Sequence, residues 1–347
     1  MPIQDVQAGG GGAAGALLRA ALAPAAWAFG LAVAWRTRAY DRGGRRVERL
    51  PVPVVSVGNL VAGGTGKTPV TALLVQRLRA LGRHPGVLAR GYGPRVAGGL
   101  SDEGAVLEAL CGPGLPQRED PDRVRGGRAL LAAPGAPDVL LLDDGFQHRR
   151  LARDLDLVLL DATCPWGHGH LLPRGLLRER PRALARAHLV ALTRCEQVEP
   201  AVLAALEREV AGHTRAPVLR LAFRPRHVEV AGRREPPGWL AGRAVLALAG
   251  VGRPQAFRRT LEALGAEVRA TRFLADHGAL PPGGLEDVLA QAQRVGAACV
   301  VTTRKDAVKL AAPLPPALAV LDIEAELLAG EAPLAAALAR VLAPPSA

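Results

Sequence analysis

Apolar residues in this chain come in short unbroken runs more often than in strict alternation. Val52-Pro53-Val54-Val55-Ser56-Val57, Val139-Leu140-Leu141-Leu142, Leu157-Val158-Leu159-Leu160 and Leu189-Val190-Ala191-Leu192 each suit a strand with both faces covered, as in a parallel sheet flanked by helices. Pro85-Gly86-Val87-Leu88-Ala89 adds a strand that leads into the glycine-rich turn Arg90-Gly91-Tyr92-Gly93. Between the runs, apolar positions repeat at helical spacing, at Val70, Leu73, Leu74 and Leu78, and again at Val106, Leu107 and Leu110 after Asp102-Glu103. Alternating strand and helix patterns predict an α/β fold with mainly parallel sheets. The runs end on Asp143-Asp144, Asp161 and Thr193, and the carboxyl ends of parallel strands are where ligands collect.

The pattern changes after residue 216. Val218-Leu219-Arg220-Leu221-Ala222-Phe223 and His227-Val228-Glu229-Val230 alternate on either side of Pro225 and predict a two-stranded hairpin. Gly232 to Gly242 is rich in Pro, Gly and Arg, as a junction would be. A second α/β unit then starts at Val245-Leu246-Ala247-Leu248 and continues through Val268, Cys299-Val300-Val301 and Leu318 to Leu321. The expected organisation is an apolar helix with a basic segment over 1–49, a first α/β lobe over 50–216, a two-stranded linker over 217–242 and a second α/β lobe over 243–347.

At the N-terminus, Ala20 to Trp35 carry no charge, and Arg36, Arg38, Arg42, Arg45, Arg46 and Arg49 follow. A spanning helix needs about 20 apolar residues, so the run is borderline, and Pro24 and Gly30 interrupt it. Two readings stay open, a membrane-inserted or interfacial helix and an amphipathic core helix. On the first, the arginines hold the following chain on the cytoplasmic side and attract anionic lipid. A secretory leader does not fit, because Met1 to Gln7 hold no basic residue.

Composition narrows the partners. A length of 347 residues suggests two domains, and 49% hydrophobic residues are ample for their cores. The net charge of +12 points to an anionic partner: a phosphorylated substrate, an anionic membrane face or nucleic acid. With aromatics at 3% and no recognisable binding module, nucleic acid is not expected. Cys111, Cys164, Cys195 and Cys299 lack C-x-x-C spacing, which argues against a zinc site and suits a reducing cytoplasm.

Lysine occurs only at positions 67, 305 and 309; arginine fills the other cationic positions. One of these lysines lies in Gly63-Gly64-Thr65-Gly66-Lys67-Thr68, between the first strand and a helix that Pro69 opens. Such a loop points successive backbone N–H groups at phosphate oxygens, its lysine reaches the β- and γ-phosphates, and its threonine hydroxyl can hold Mg²⁺. Arginine's planar fork does not substitute for that compact charge. The loop is a variant, since Val61 stands where the strict pattern has glycine. Asp143 and Asp144 have the form of a Walker B strand end, whose carboxylate organises Mg²⁺ beside the phosphates.

Five further features fix a resemblance. Val57-Gly58-Asn59 before the loop, Arg90-Gly91-Tyr92-Gly93, Asp143-Asp144-Gly145-Phe146-Gln147-His148, Leu171-Leu172-Pro173 with Leu177-Arg178-Glu179, and Val301-Thr302-Thr303 with Lys305-Asp306-Ala307 occur in matching order. Over roughly residues 20–310 the chain resembles the tetraacyldisaccharide 4′-kinases. The resemblance implies two α/β/α lobes, the first of P-loop NTPase type, with a two-stranded linker and an N-terminal membrane helix. It implies transfer of the γ-phosphoryl group of ATP, with Mg²⁺, to the 4′-hydroxyl of an acylated glucosamine disaccharide 1-phosphate at the cytoplasmic face of the inner membrane.

It also implies roles. Lys67 and the amides of Gly63, Gly64, Thr65, Gly66 and Thr68 bind nucleotide, and Thr68 with Asp143 or Asp144 holds the metal. Asp102, in Ser101-Asp102-Glu103 where the family has glycine first, is the base, paired with His277 of Asp276-His277. Asn59, Arg90, Tyr92, His148, Arg178 and Glu179 are the substrate contacts. Some alternatives stay open. Asp102 also suits a helix N-cap, His277 a surface histidine, His148 a hydrogen bond to the strand end, Arg178-Glu179 an exposed ion pair, and Arg90 and Tyr92 a shaped turn. A competing reading is a partitioning-type ATPase switch, but such loops carry a lysine where this chain has Ala62.

Overall fold

The computed structural model describes residues 7, 10, 12–91, 99–251, 254–274, 278, 280–310 and 313–343. By contact density the chain falls into two units: Met1–Arg90 with Gly114–Phe223 and Ala325–Ala347, and Gly91–Pro113 with Arg224–Glu324. The helices in chain order are α1 (Gly12–Ala21), α2 (Ala23–Asp41), α3 (Lys67–Ala80), α4 (Asp102–Cys111), α5 (Arg123–Leu131), α6 (Pro200–Ala211), α7 (Pro254–Ala263), α8 (Gly284–Arg294), α9 (Arg304–Ala307) and α10 (Glu331–Leu342).

The first unit is built on the strands β1 (Val54–Asn59), β2 (Pro85–Ala89), β3 (Gln117–Glu119), β4 (Val139–Asp143), β5 (Leu155–Asp161), β6 (Leu189–Thr193) and the start of β7 (Val218–Val230). Their spatial order is β7-β6-β5-β1-β4-β2-β3, with every neighbouring pair parallel. The unbroken apolar runs thus become central strands, and every residue of β1, β4, β5 and β6 is buried. A fully buried leucine such as Leu140, Leu141 or Leu142 contributes about 1.5–3 kcal/mol over an exposed one. On one face α3 buries Val70, Leu74, Val75 and Leu78. Its C-terminal Arg77 makes a two-pronged ion pair with Glu331 of α10, at 2.7 and 2.9 Å.

Strand β1 lies between β4 and β5; the chain leaves β1 past β4 to β2, and leaves β4 in the opposite direction past β1 to β5. This reversal opens a crevice at the carboxyl end of β1. Register sets what stands there: Val57 pairs with Asp143, so the acidic end of β4 is level with the last turn of chain before the phosphate loop. Close approach is possible because residue 58 is glycine. A Cβ there would lie 2.5 Å from the Phe146 Cβ and 2.7 Å from the Phe146 nitrogen.

The second unit is built on β8 (Arg233–Glu235), β9 (Ala244–Ala249), β10 (Glu267–Phe273), β11 (Cys299–Thr303) and β12 (Leu318–Ala329), with β10-β9-β11-β12 in spatial order and parallel. Its core is formed by Val245, Ala247, Val301, Leu321, Phe257 and Leu261 on one side and Leu246, Leu248, Val288 and Val300 on the other.

The hairpin expected from Val218 to Val230 does not form. That segment is one thirteen-residue strand, and its antiparallel partner is β8, which pairs with Val228–Val230. Pro225 falls between the stretches paired to β6 and β8. Proline drives the residue before it toward extended geometry, so Arg224-Pro225 continues a strand as readily as it turns one. The chain passes between the two units inside β7 and again inside β12. Helix α4, which lies between β2 and β3 in sequence, belongs to the second unit.

Gly58→Ala tests the close approach. Because the obstructing atoms include backbone, we expect a loss of about 1–3 kcal/mol in unfolding free energy, measured by urea denaturation.

Candidate active site

The phosphate loop is held from behind. Asn59 is fully buried, and its Nδ2 donates to the Val61 carbonyl at 2.7 Å and to Thr65 Oγ1 at 2.9 Å. The Thr193 hydroxyl donates to the Thr65 carbonyl at 3.0 Å, and Arg194, ion-paired with Asp161, donates to the Gly64 carbonyl at 2.8 Å. Gly66 has φ +85° at the N-cap of α3, and a Cβ there would run into the Phe223 ring. The N-terminal amides of α3, beginning at Lys67 and Thr68, have no i−4 carbonyl partner in the helix and form the kind of anion site that phosphates occupy. The substrate contact implied for Asn59 is not available to its amide nitrogen, which is spent shaping the loop.

Across the crevice the two aspartates differ. Asp143 Oδ1 accepts the Asp144 N–H at 3.0 Å. Asp144 takes a left-handed turn at φ +52°, and its carboxylate lies 3.6 Å from Lys67 Nζ. Arg178 Nη1 sits 2.7 Å from each Asp144 oxygen. Burial raises the Asp144 carboxyl, but the charges of Lys67, Arg178 and Arg123 outweigh it and leave the group below the usual range.

Arg178 and Glu179, adjacent in sequence, therefore do not pair with each other. Glu179, 3% exposed, is bound by Arg186 at 2.9 and 3.1 Å and by Gln147 Nε2 at 3.1 Å. The same Gln147 amide donates to the Asn59 carbonyl at 3.0 Å and ties the loop after β4 to the end of β1. The motif contained Gln147, but nothing in its spacing marked it as a brace.

Arg123 went unremarked in the sequence because it is one arginine among many. It is 5% exposed, and burial first, then the neighbouring Arg90 charge, lowers its guanidinium, with Asp144, Asp143 and Asp120 opposing. Its Nη1 donates to the Pro121 carbonyl at 3.1 Å. Burial and then Arg123 push His148 from 6.5 to about 4, so its imidazole is neutral near pH 7. Its backbone N–H donates to Gly145 at 2.8 Å, while Nε2 has no hydrogen-bond partner among the described residues.

In the second unit Ser101, not Asp102, caps α4: its hydroxyl accepts the Gly104 N–H at 3.3 Å. Asp102 is 7% exposed on the first turn, with Lys309 Nζ 3.5 Å from Oδ2. Tyr92 and His277 lie outside the described residues.

Helices α1 and α2 run almost continuously over Gly12–Asp41 with a mean hydropathy of 1.6 in the most apolar window, long and apolar enough to cross a membrane. Trp27 and Trp35 are 68% and 66% exposed, which excludes an ordinary core helix. A groove of about 710 Å³ separates these helices from the 169–181 loop, lined by Ala20, Trp27, Leu171, Leu177, Arg174 and Arg180.

A family model described as tetraacyldisaccharide-1-P 4′-kinase matches residues 18–343. A tetraacyldisaccharide 4′-kinase of Anaeromyxobacter sp. strain K is 46% identical over 358 aligned positions, covering 96% of this chain and 93% of its own. That of Geobacter sulfurreducens is 39% identical over 95% of this chain and 96% of its own. Among solved structures, the "apo" form of LpxK from Aquifex aeolicus in complex with ATP superposes with a TM-score of 0.75 at 28% identity, covering 94% of this chain and 100% of that one.

The neutral His148 has a consequence for stability. With its folded value near 4 and an ordinary value of 6.5, the unfolded chain binds the extra proton between those limits, so stability present above 6.5 is lost as pH falls through this window. We expect His148→Gln to lose less thermal stability than the wild type between about pH 7 and about pH 5. Parallel curves for the two proteins would contradict this.

Proposed function

The chain belongs to the tetraacyldisaccharide-1-P 4′-kinase family, and we propose that it transfers the γ-phosphoryl group of ATP to the 4′-hydroxyl of a tetraacylated glucosamine disaccharide 1-phosphate in lipid A biosynthesis. The observation that carries the site assignment is the Lys67 ammonium at the N-terminus of α3, facing a carboxylate already neutralised by Arg178. Phosphoryl transfer asks little covalent chemistry of a protein. It asks for phosphate charge to be balanced, reactants to be held in line and a proton to be received.

Lys67 and the helix amides bind the phosphates as a preorganised positive field. When nucleotide arrives, Lys67 exchanges its 3.6 Å contact with Asp144 for phosphate oxygen, and Arg178 continues to compensate the carboxylate. The Thr68 hydroxyl and the Asp143 and Asp144 carboxylates are hard oxygen donors of the kind Mg²⁺ takes. Mg²⁺ keeps several waters and takes one or two carboxylates beside phosphate oxygens, so these donors would be enough to hold it. Bound there, Mg²⁺ supplies charge neutralisation at the transferring group. Arg90, Arg123 and the neutral His148 provide polar contacts for the substrate side of the crevice, and Asp102 receives the hydroxyl proton, with His277 as its partner.

The lipid character of the substrate accounts for the N-terminal segment. An acyl chain matches the apolar wall of Ala20, Trp27 and Leu171, and Arg174 and Arg180 offer guanidinium groups to phosphate. Helices α1 and α2 enter the membrane with their exposed tryptophans, while the arginines from Arg36 to Arg49 stay with anionic headgroups on the cytoplasmic side. The partitioning-type switch has no support in the relatives, and Ala62 still stands where its lysine belongs.

Purified protein incubated with ATP, Mg²⁺ and the acylated disaccharide is expected to yield the 4′-phosphorylated lipid. Lys67→Ala should lower turnover by about 10²–10³-fold and weaken ATP retention. Asp102→Ala should cost about 10²–10⁴-fold in turnover with nucleotide affinity little changed. Unaltered turnover in Lys67→Ala would overturn the phosphate-loop assignment; unaltered turnover in Asp102→Ala would remove it from the mechanism.

A further inference from the structure

We propose that Lys309 is a positioning residue for Asp102, fixing one carboxylate oxygen so that the other is left to receive the proton of the acceptor hydroxyl. The inference rests on the reading of Asp102 as the base.

Three features of the second unit lead to it. Lys309 is one of three lysines in a chain that otherwise uses arginine, and its side chain is 8% exposed. A buried lysine must be compensated, and Lys309 is compensated by two carboxylates: Asp102 Oδ2 at 3.5 Å and Asp306 Oδ1 at 3.7 Å, with the Gly278 carbonyl at 3.4 Å. A compact ammonium can stand between two acidic groups and a carbonyl; a guanidinium, wide and planar, needs a different arrangement of acceptors.

Among the described residues, hydrogen bonds anchor one of the two carboxylates and not the other. Asp306 Oδ2 accepts the Gly250 N–H at 2.9 Å and the Thr303 hydroxyl at 2.8 Å, and the Thr303 hydroxyl accepts the Asp306 N–H at 3.2 Å. These contacts bind Asp306 to the carboxyl ends of β9 and β11, so its Oδ1 presents a fixed negative charge to Lys309. Lys309 passes that fixity to Asp102. Asp102 Oδ1, by contrast, is buried and has no hydrogen-bond partner among the described residues. A buried carboxylate with one oxygen held by an ammonium and the other unengaged is arranged as an acceptor toward something that arrives later. Ser101 supplies the helix cap, so Asp102 is not needed for that purpose.

The experiment is a kinetic double-mutant cycle on the full chain in detergent micelles, with ATP, Mg²⁺ and the acylated disaccharide, comparing wild type, Lys309→Met, Asp102→Asn and the double variant. We expect Lys309→Met to lower kcat by about tenfold or more while KM for ATP stays within about threefold, and the double variant to be no slower than Asp102→Asn alone. Wild-type kcat in Lys309→Met, or a loss that multiplies with that of Asp102→Asn, overturns the proposal while leaving Asp102 as the base. Wild-type kcat in Asp102→Asn overturns the base assignment and the proposal with it. Should Lys309→Met fail to fold, Lys309→Gln, which removes the charge and keeps a donor for the Gly278 carbonyl, replaces it in the same cycle with the same expected outcomes.

Discussion

A carboxylate held between an ammonium and a guanidinium governs the first unit. Asp144 could not remain charged in its partly buried crevice without Lys67 and Arg178, and those cations could not be gathered there without it. The surrounding geometry serves this triad. Parallel pairing of β1 and β4 sets Asp143 level with Val57, Gly58 admits Phe146 against the strand, and the left-handed turn at Asp144 swings its side chain toward the phosphate loop. A second layer braces the first, through the Gln147 amide on the Asn59 carbonyl and the Glu179–Arg186 pair.

Lysine usage gives the same physical logic twice. Arginine serves nearly everywhere else, on the surface and in buried pairs such as that of Arg304 with Asp322. At 67 and 309 an ammonium faces aspartate in a mostly buried setting: Asp144 in one unit, Asp102 and Asp306 in the other. At both positions a compact point charge, not a planar fork, faces the carboxylate.

The charge of the whole chain has a more diffuse meaning. An excess of +12 and a basic stretch directly after an exposed apolar helix create a field that acts at range and say nothing about fold. Arg149 makes this region more than an appendage. It donates to the Thr37 carbonyl at 3.2 Å and pairs with Asp41 at 2.7 Å, so the end of α2 is tied to the loop that follows the two aspartates.

Parallel strands, phosphate loop and family are legible along the chain because each is written in local terms: apolar runs buried on both faces, a glycine turn before a helix, and motifs of contiguous residues. Tertiary structure alone decided the pairings. Arg178 and Glu179 are neighbours in the chain yet serve Asp144 and Arg186, Asn59 turns inward, Ser101 takes the cap that Asp102 also suited, and Val218 to Val230 stays one strand. Arg123 carried no local mark, and the rarity of lysine marked Lys309 without naming its partners. Their importance comes from which strand ends come to lie together in register, and that is fixed by long-range packing that no window along the chain contains.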